Sequence, residues 1–314
     1  MGDNSQIQWT DATWNPVTGC TKVSEGCRRC YIERTVPFRT QHRRFAGPNG
    51  PADPGATTGV VLHPERLDQP LRWRRPRRVF VNSLSDLFHA EVPDAIIAQV
   101  FQMMAAAPRH TFQVLTKRPG RMASLLPRLP ALINANDLAL VEERARVTAW
   151  PLPNVWLGTS VEDQRAADLR IPSLLKTPAA ARFLSCEPLL GPVDLSPWLP
   201  CHCPEGPASM PVGCAECAHP GNARLGREHA TPVDWVIVGG ESGPGARPMD
   251  LAWTRELVGQ CQAATVAVFV KQLGRAWSQA AGLGAGHGGD PQHWPADLRV
   301  RELPACWATE VPGR

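Results

Sequence analysis

From residue 78 onward, short runs of β-branched and aromatic residues alternate with helix-like stretches, and this alternation constrains the fold more than any other feature. The runs are Arg78 to Asn82 (RVFVN), Thr111 to Leu115 (TFQVL), Asn154 to Leu157 (NVWL), Ala181 to Leu184 (ARFL), Asp234 to Val238 (DWVIV) and Val266 to Val270 (VAVFV). Strands separated by helices pair in parallel through crossovers rather than as hairpins. The expected class is therefore α/β, a partial or complete parallel (β/α) barrel. At 314 residues the chain is long enough for one such barrel, which takes about 250 residues.

Between the runs, residues 93–108 carry Ile96, Val100 and Met104 on one face with Ile97 and Phe101 beside them, so an amphipathic helix is expected with its methionines in the core. Residues 250–264 read the same way, with Asp250 as N-cap and Leu257 and Cys261 four apart on an inward face. Each strand runs into polar or glycine residues: NSLSD, TKRPG, GTSVED, SCEP, GGESG and KQLG. In a barrel those ends share the C-terminal face, where ligands bind. Singly, each is also readable as a cap or turn.

Two stretches break the rhythm. Residues 46–59, rich in Gly, Pro and Ala, read as a flexible loop, and residues 196–232 read as an inserted minidomain with four cysteines. The glycine-rich residues 280–289 read as mobile. The expected organisation is a barrel of residues 1–195 and 233–279, an insert at 196–232 and a C-terminal extension at 280–314.

Ten cysteines in a secreted chain would imply disulfides, but seven fall in two tight groups at metal-ligand spacing. The N-terminus lacks the basic-then-apolar pattern of a signal peptide and no apolar run reaches membrane-spanning length. A cytoplasmic protein with reduced, metal-holding thiols, and no membrane partner, is expected. The first group is Cys20-x6-Cys27-x2-Cys30 in GCTKVSEGCRRCYIER. Three thiolates on one loop suit a [4Fe–4S] cluster whose fourth iron stays open, with Gly19 and Gly26 letting the backbone wrap it and nearby arginines offsetting its charge. A zinc site completed by a residue such as His42, and unliganded thiols, are the alternatives. The second group, Cys201, Cys203, Cys214 and Cys217, has the paired spacing of a tetrahedral zinc site; His202 and His219 are alternative ligands, and an auxiliary iron–sulfur cluster is the rival.

The formal charge of +4 is unevenly spread: residues 28–44 and 66–78 each carry six arginines and one acid, or +5 apiece. Two basic segments on an otherwise acidic chain suit a polyanionic partner, although solvated or internally paired arginines are as good a reading. Within LRWRRPRR, Trp73 among Arg74, Arg75, Arg77 and Arg78 has the arrangement of base stacking with phosphate pairing; packing of the indole on the body is the alternative. Trp9 and Trp14 read as packing residues.

The blocks TWNPVTGCTKVSEGCRRCYIER, RRVFVNSLSDLFH, FQVLTKRP, VWLGTSVEDQ, RFLSCEPLLGPVDL, DWVIVGGESGPGARPMD and FVKQLG together resemble the phage-associated three-cysteine-motif family, over residues 5–275. That family looks like a divergent branch of the radical S-adenosylmethionine (SAM) superfamily, nearest to spore photoproduct lyase. The resemblance implies a barrel of the radical SAM type, with a [4Fe–4S] cluster, SAM, an electron donor such as flavodoxin or ferredoxin, and zinc in the insert. The cysteine spacing departs from the superfamily's x3 then x2, and Arg29 stands where an aromatic usually precedes the third cysteine, with Tyr31 after it.

Counting a short strand before the cysteine loop as the first, the resemblance implies SAM contacts at Asn82, Ser83, Ser85 and Asp86, with Gly239 and Gly240 as a further glycine-rich segment. Thr116 and Lys117 would hold the carboxylate of SAM, and Ser160 or Glu162 its ribose hydroxyls. Cys186 is a candidate hydrogen donor or else a buried thiol, and Glu187 and Glu241 are candidate catalytic or binding carboxylates. The expected activity is reductive cleavage of SAM followed by hydrogen abstraction from a substrate, with nucleic acid or a nucleotide-derived group first in line. A zinc-dependent nucleic-acid-binding protein without catalysis is the rival, and an electron carrier the third reading.

Overall fold

The computed structural model describes residues 5, 7–135, 147, 149–200, 233–284 and 286–304. The chain divides into two compact units, Met1–Thr159 with Thr177–Ala181, and Ser160–Lys176 with Arg182–Arg314. Among the described residues the principal sheet has seven strands in chain order: β1 (Ala12–Trp14), then past a two-stranded antiparallel pair β2 (Val17–Thr18) and β3 (Val61–Leu62), β4 (Arg78–Val81), β5 (Thr111–Thr116), β6 (Val155–Ser160), β7 (Ala181–Cys186), β8 (Trp235–Gly239) and β9 (Ala267–Gln272). The pairings within each unit's part of this sheet are parallel. The class is thus α/β with a parallel sheet, and all six strands expected from the sequence are present. β6 and β7 run on through Ser160 and Cys186, because polar residues at a parallel strand's end still pair through their backbones.

In the first unit, register sets the two faces of the sheet. Ala12, Val79, Phe112 and Val155 form one row, and Trp14, Val81, Val114 and Leu157 another on the same face. Val155 and Leu157 line a small apolar cavity with Phe101 and Leu126, so this face takes the helices. Helix Asp94–Ala106 contributes Ile97, Val100, Phe101, Met103 and Met104, all buried, each stabilising by about 1.5–3 kcal/mol for the larger side chains.

In the second unit, Asp250 caps helix Leu251–Ala263 by accepting from the Ala252 amide at 2.8 Å, and Leu257 and Cys261 are fully buried, as the four-residue spacing requires. Trp235 sits between Phe183 and Phe269 at 6.1 Å from each. Residues 300–302 run antiparallel to β9 through Val270 N to Val300 O and Glu302 N to Val268 O. The glycine-rich segment after residue 280 has the composition of a mobile tail, yet its described residues are tied in, with Gly288 O accepting from Leu273 N and from the Trp294 indole. Backbone hydrogen bonds leave no trace in composition. Among the described residues no helix is long and apolar enough to cross a membrane.

Candidate three-thiol site

The cysteine loop leaves β2 at Gly19, whose φ of +92° and crowded surroundings require glycine: a Cβ would stand 1.7 Å from Gly59 O and 2.2 Å from an Arg43 guanidinium nitrogen. Gly19 N donates to Leu84 O, which brings the loop beside the segment after β4. Gly26 lies in the 3-10 turn Glu25–Cys27. Residues 46–59, expected to be a flexible loop, form the loop's wall instead: Lys22 N donates to Ala56 O, Gly55 N to Lys22 O, Thr58 N to Cys20 O, and Cys20 N to Thr58 Oγ1. Arg43 clamps both strands of this wall, donating to Thr18 Oγ1 at 2.9 Å and Gly59 O at 2.6 Å.

Cys20 and Cys30 pack against an apolar cluster of Ile32, Phe38, Phe45, Ala56 and Leu84, and Cys27 is buried. Burial pushes the Cys20 thiol up to about 12, with Asp86, Cys27 and Cys30 adding repulsion and Arg118 opposing it. Burial likewise pushes Cys30 up to about 11, against the pull of the Ile32 backbone amide, Lys117 and Lys22. The three sulfurs therefore stand within electrostatic reach of one another, Cys27 buried and Cys20 and Cys30 partly buried, and as free groups Cys20 and Cys30 are neutral thiols at physiological pH. Only a bound cation or cluster would hold these as thiolates.

The donor set is compatible with an iron–sulfur cluster: three sulfurs, an apolar wall on one side of Cys20 and Cys30, and three cations, Lys22, Lys117 and Arg118, that favour thiolate charge. Among the described residues no three His, Cys, Asp or Glu side chains form a group tight enough for a single metal ion. A cluster is ligated at separate iron atoms, so its cysteines need not converge on one point.

The segments after β4 and β5 are stitched together by Asp86, whose Oδ1 accepts from Phe88 N at 3.0 Å and Thr116 Oγ1 at 2.7 Å, and whose Oδ2 accepts from Lys117 N at 3.0 Å. Ser85 Oγ donates to Val17 O at 2.9 Å and Ser83 Oγ to Asn15 Oδ1 at 3.2 Å; Tyr31 donates to Ser83 O. The side chains of four residues expected to touch SAM, Ser83, Ser85, Asp86 and Thr116, are thereby engaged with one another, with the segments after β4 and β5, and with Asn15 and Val17 ahead of the cysteine loop. Asn82 is different: it is buried with φ +58°, and among the described residues neither atom of its carboxamide has a partner.

Within the second unit, Glu162 is paired with Arg170 at 2.6 Å in a buried ion pair that also holds Ser160 O at 2.8 Å. Glu241 accepts from Arg247 through its guanidinium at 2.6 Å and its backbone at 2.8 Å. Glu187 accepts from Lys271 at 2.6 Å and Gln272 at 3.2 Å. Gly240 packs on Gly274, where a Cβ would stand 2.5 Å from Leu273 O, and a Cβ on Gly239 would meet Glu187 at 3.3 Å. Cys186 is fully buried and burial raises its pKa, so the buried-thiol reading describes its surroundings.

Trp73 is buried, edge-on to His110 at 5.6 Å with Arg77 over its ring at 5.1 Å, so packing describes it rather than an open stacking platform. Arg78 is held by Asp11 at 2.6 Å, whereas Arg74 and Arg75 are exposed. His42 is exposed, with φ +53°. Cys201, Cys203, Cys214 and Cys217, with His202 and His219, lie outside the described residues. Residues not singled out from the sequence include Lys22, Asn15, Arg43 and Arg118. Lys22 and Arg118 lie inside the conspicuous blocks GCTKVSEGC and TKRPG, which was the available signal.

Fold and site together define a parallel α/β protein with a three-thiol loop at its strand ends. The chain belongs to the family described as "Protein of unknown function (DUF5131)", whose profile matches residues 4–298. No curated protein and no solved structure matches the chain.

Proposed function

We propose that the protein is a radical SAM enzyme on a (β/α) barrel or part of one, acting on nucleic acid or a nucleotide-derived group. The observation that carries the reading is the gathering of three thiols, Cys27 buried and Cys20 and Cys30 partly buried against an apolar cluster, beside the segments that follow two parallel strands. Cys20, Cys27 and Cys30 would hold the [4Fe–4S] cluster. Such a cluster would supply the electron for reductive cleavage of SAM, and SAM the radical that takes hydrogen from the substrate.

The chain's own residues supply the setting. The Ile32, Phe38, Phe45 and Leu84 wall gives Cys20 and Cys30 an apolar backing. Lys22 donates to Arg28 O at 2.8 Å and lies over the Phe45 ring, so its charge is fixed close to the thiols rather than free to move into solvent. Asp86 fixes the Thr116–Lys117 segment, keeping Lys117 in reach of Cys30. Polyanion binding rests on exposed Arg74 and Arg75; the paired arginines Arg72 and Arg78 contribute less.

The test is anaerobic reconstitution with iron and sulfide, then addition of SAM and a strong reductant. Formation of 5′-deoxyadenosine by the parent and not by Cys27→Ala is expected. A colourless protein that retains zinc and binds nucleic acid would replace this reading with the non-catalytic one.

A further inference from the structure

The face of the first unit's sheet opposite its helices carries an unexplained polar group. Across β1, β4, β5 and β6, Thr13, Phe80, Gln113 and Trp156 form one row in register, offset by one residue from the rows that meet the helices. Gln113 is wholly buried, and among the described residues neither its amide nitrogen nor its oxygen has a hydrogen-bond partner. Asn82, just past the end of the neighbouring strand, is 4% exposed and equally unpartnered. Val81, the residue before it, pairs with Val114, the residue after Gln113.

A buried carboxamide without a partner costs free energy that an apolar residue of the same size would not, so two of them, one on β5 and one just past the end of β4, call for hydrogen-bonding groups that the described residues do not supply. Each presents a planar edge with both donors and acceptors, and Gln113 is flanked in its row by the buried rings of Phe80 and Trp156. Flat apolar walls beside donor–acceptor edges are the chemistry that recognises a nucleobase. We infer that Gln113 and Asn82 read the hydrogen-bonding edge of a nucleobase. This rests on the proposed function in that the base comes either from SAM or from a nucleic-acid substrate.

The test is equilibrium binding by the full chain of two probes, S-adenosylhomocysteine and single-stranded homo-oligonucleotides of each base, with the parent, Gln113→Leu and Asn82→Gly. Gln113→Leu removes the amide at nearly constant volume, and Asn82→Gly keeps a residue that accepts φ +58°. The expected result is a tenfold or greater loss for one probe in both variants, with Gln113→Leu unfolding at or above the parent's midpoint. Loss confined to S-adenosylhomocysteine assigns the cofactor's adenine; loss confined to particular oligonucleotides assigns a substrate base. Unchanged binding in both variants, no binding of either probe by the parent, or marked destabilisation by Gln113→Leu together with unaltered binding in Asn82→Gly would overturn the inference. Iron content after reconstitution is read separately: base binding without iron would remove the radical chemistry and leave this inference standing.

Discussion

Asp86→Asn is the substitution from which the site's construction can be measured. The carboxylate is 7% exposed and takes three hydrogen bonds, from Phe88 N, Thr116 Oγ1 and Lys117 N. An amide in its place keeps one oxygen and turns an NH2 group toward a donor. The least costly arrangement keeps Oδ1 on Phe88 and Thr116 and sets the new NH2 against the Lys117 amide. That loses one charge-assisted bond, worth about 1.5–3 kcal/mol, and weakens two more by roughly 0.5–1 kcal/mol each. The expected cost is about 2.5–5 kcal/mol, which at roughly 2–4 °C per kcal/mol lowers the unfolding midpoint by about 5–20 °C. Because the chain has two compact units, hydrogen exchange gives the sharper reading: the Lys117 amide should lose protection selectively, and Thr116→Val should show coupling to Asp86→Asn in a double-mutant cycle. A midpoint within about 1 °C of the parent, with the Lys117 amide still protected, would refute the claim that Asp86 ties the two strand ends together.

Three further outcomes are expected. Glu162→Gln leaves the Arg170 guanidinium buried without its counter-charge and should cost about 3–5 kcal/mol in denaturant unfolding, while Glu162→Gln with Arg170→Met should recover much of it. Burial pushes His110 down to about 4, with the Pro70 carbonyl acting against the shift; the unfolded chain then takes up this proton first as pH falls. Stability from this residue is full above about pH 6.5 and is lost as pH drops toward 4, and the urea midpoint of His110→Gln should vary less across that window. Replacing exposed Arg74 and Arg75 with Ala should flatten the salt dependence of nucleic-acid binding by about one unit of slope for each phosphate no longer neutralised, whereas a slope identical to the parent's would take these two arginines out of the interface.

The strands were legible because each is a compact β-branched run that a parallel sheet buries on both faces, and the helix Leu251–Ala263 because Asp250 and the Leu257–Cys261 spacing mark its start and its inner face. The cysteine loop was legible from spacing alone. Its wall was not: residues 46–59 have the composition of a linker, and what orders them is backbone pairing with Lys22 and Cys20 together with the Arg43 clamp, none of which has a side-chain periodicity. The polar strand ends stand out in the sequence, but their division of labour does not. Asp86 and Thr116 spend their side chains on each other and Ser83 and Ser85 on Asn15 and Val17, while Gln113, hidden inside an apolar run, has the look of an ordinary strand residue. The basic segment at 66–78 likewise divides its labour in a way the sequence does not announce: Arg72, Arg77 and Arg78 are engaged with Asp68, Trp73 and Asp11, whereas Arg74 and Arg75 are exposed.

The most direct measurement of the central claim is iron content and 5′-deoxyadenosine yield, taken together on anaerobically reconstituted parent and on the variant with Cys20, Cys27 and Cys30 all changed to Ala. The account predicts about four iron atoms per chain above the variant's level, with visible charge-transfer absorption, and 5′-deoxyadenosine only from the parent when SAM and reductant are supplied. Equal iron and equal absorption in both proteins, or a parent that binds iron through these cysteines yet never cleaves SAM, would contradict it.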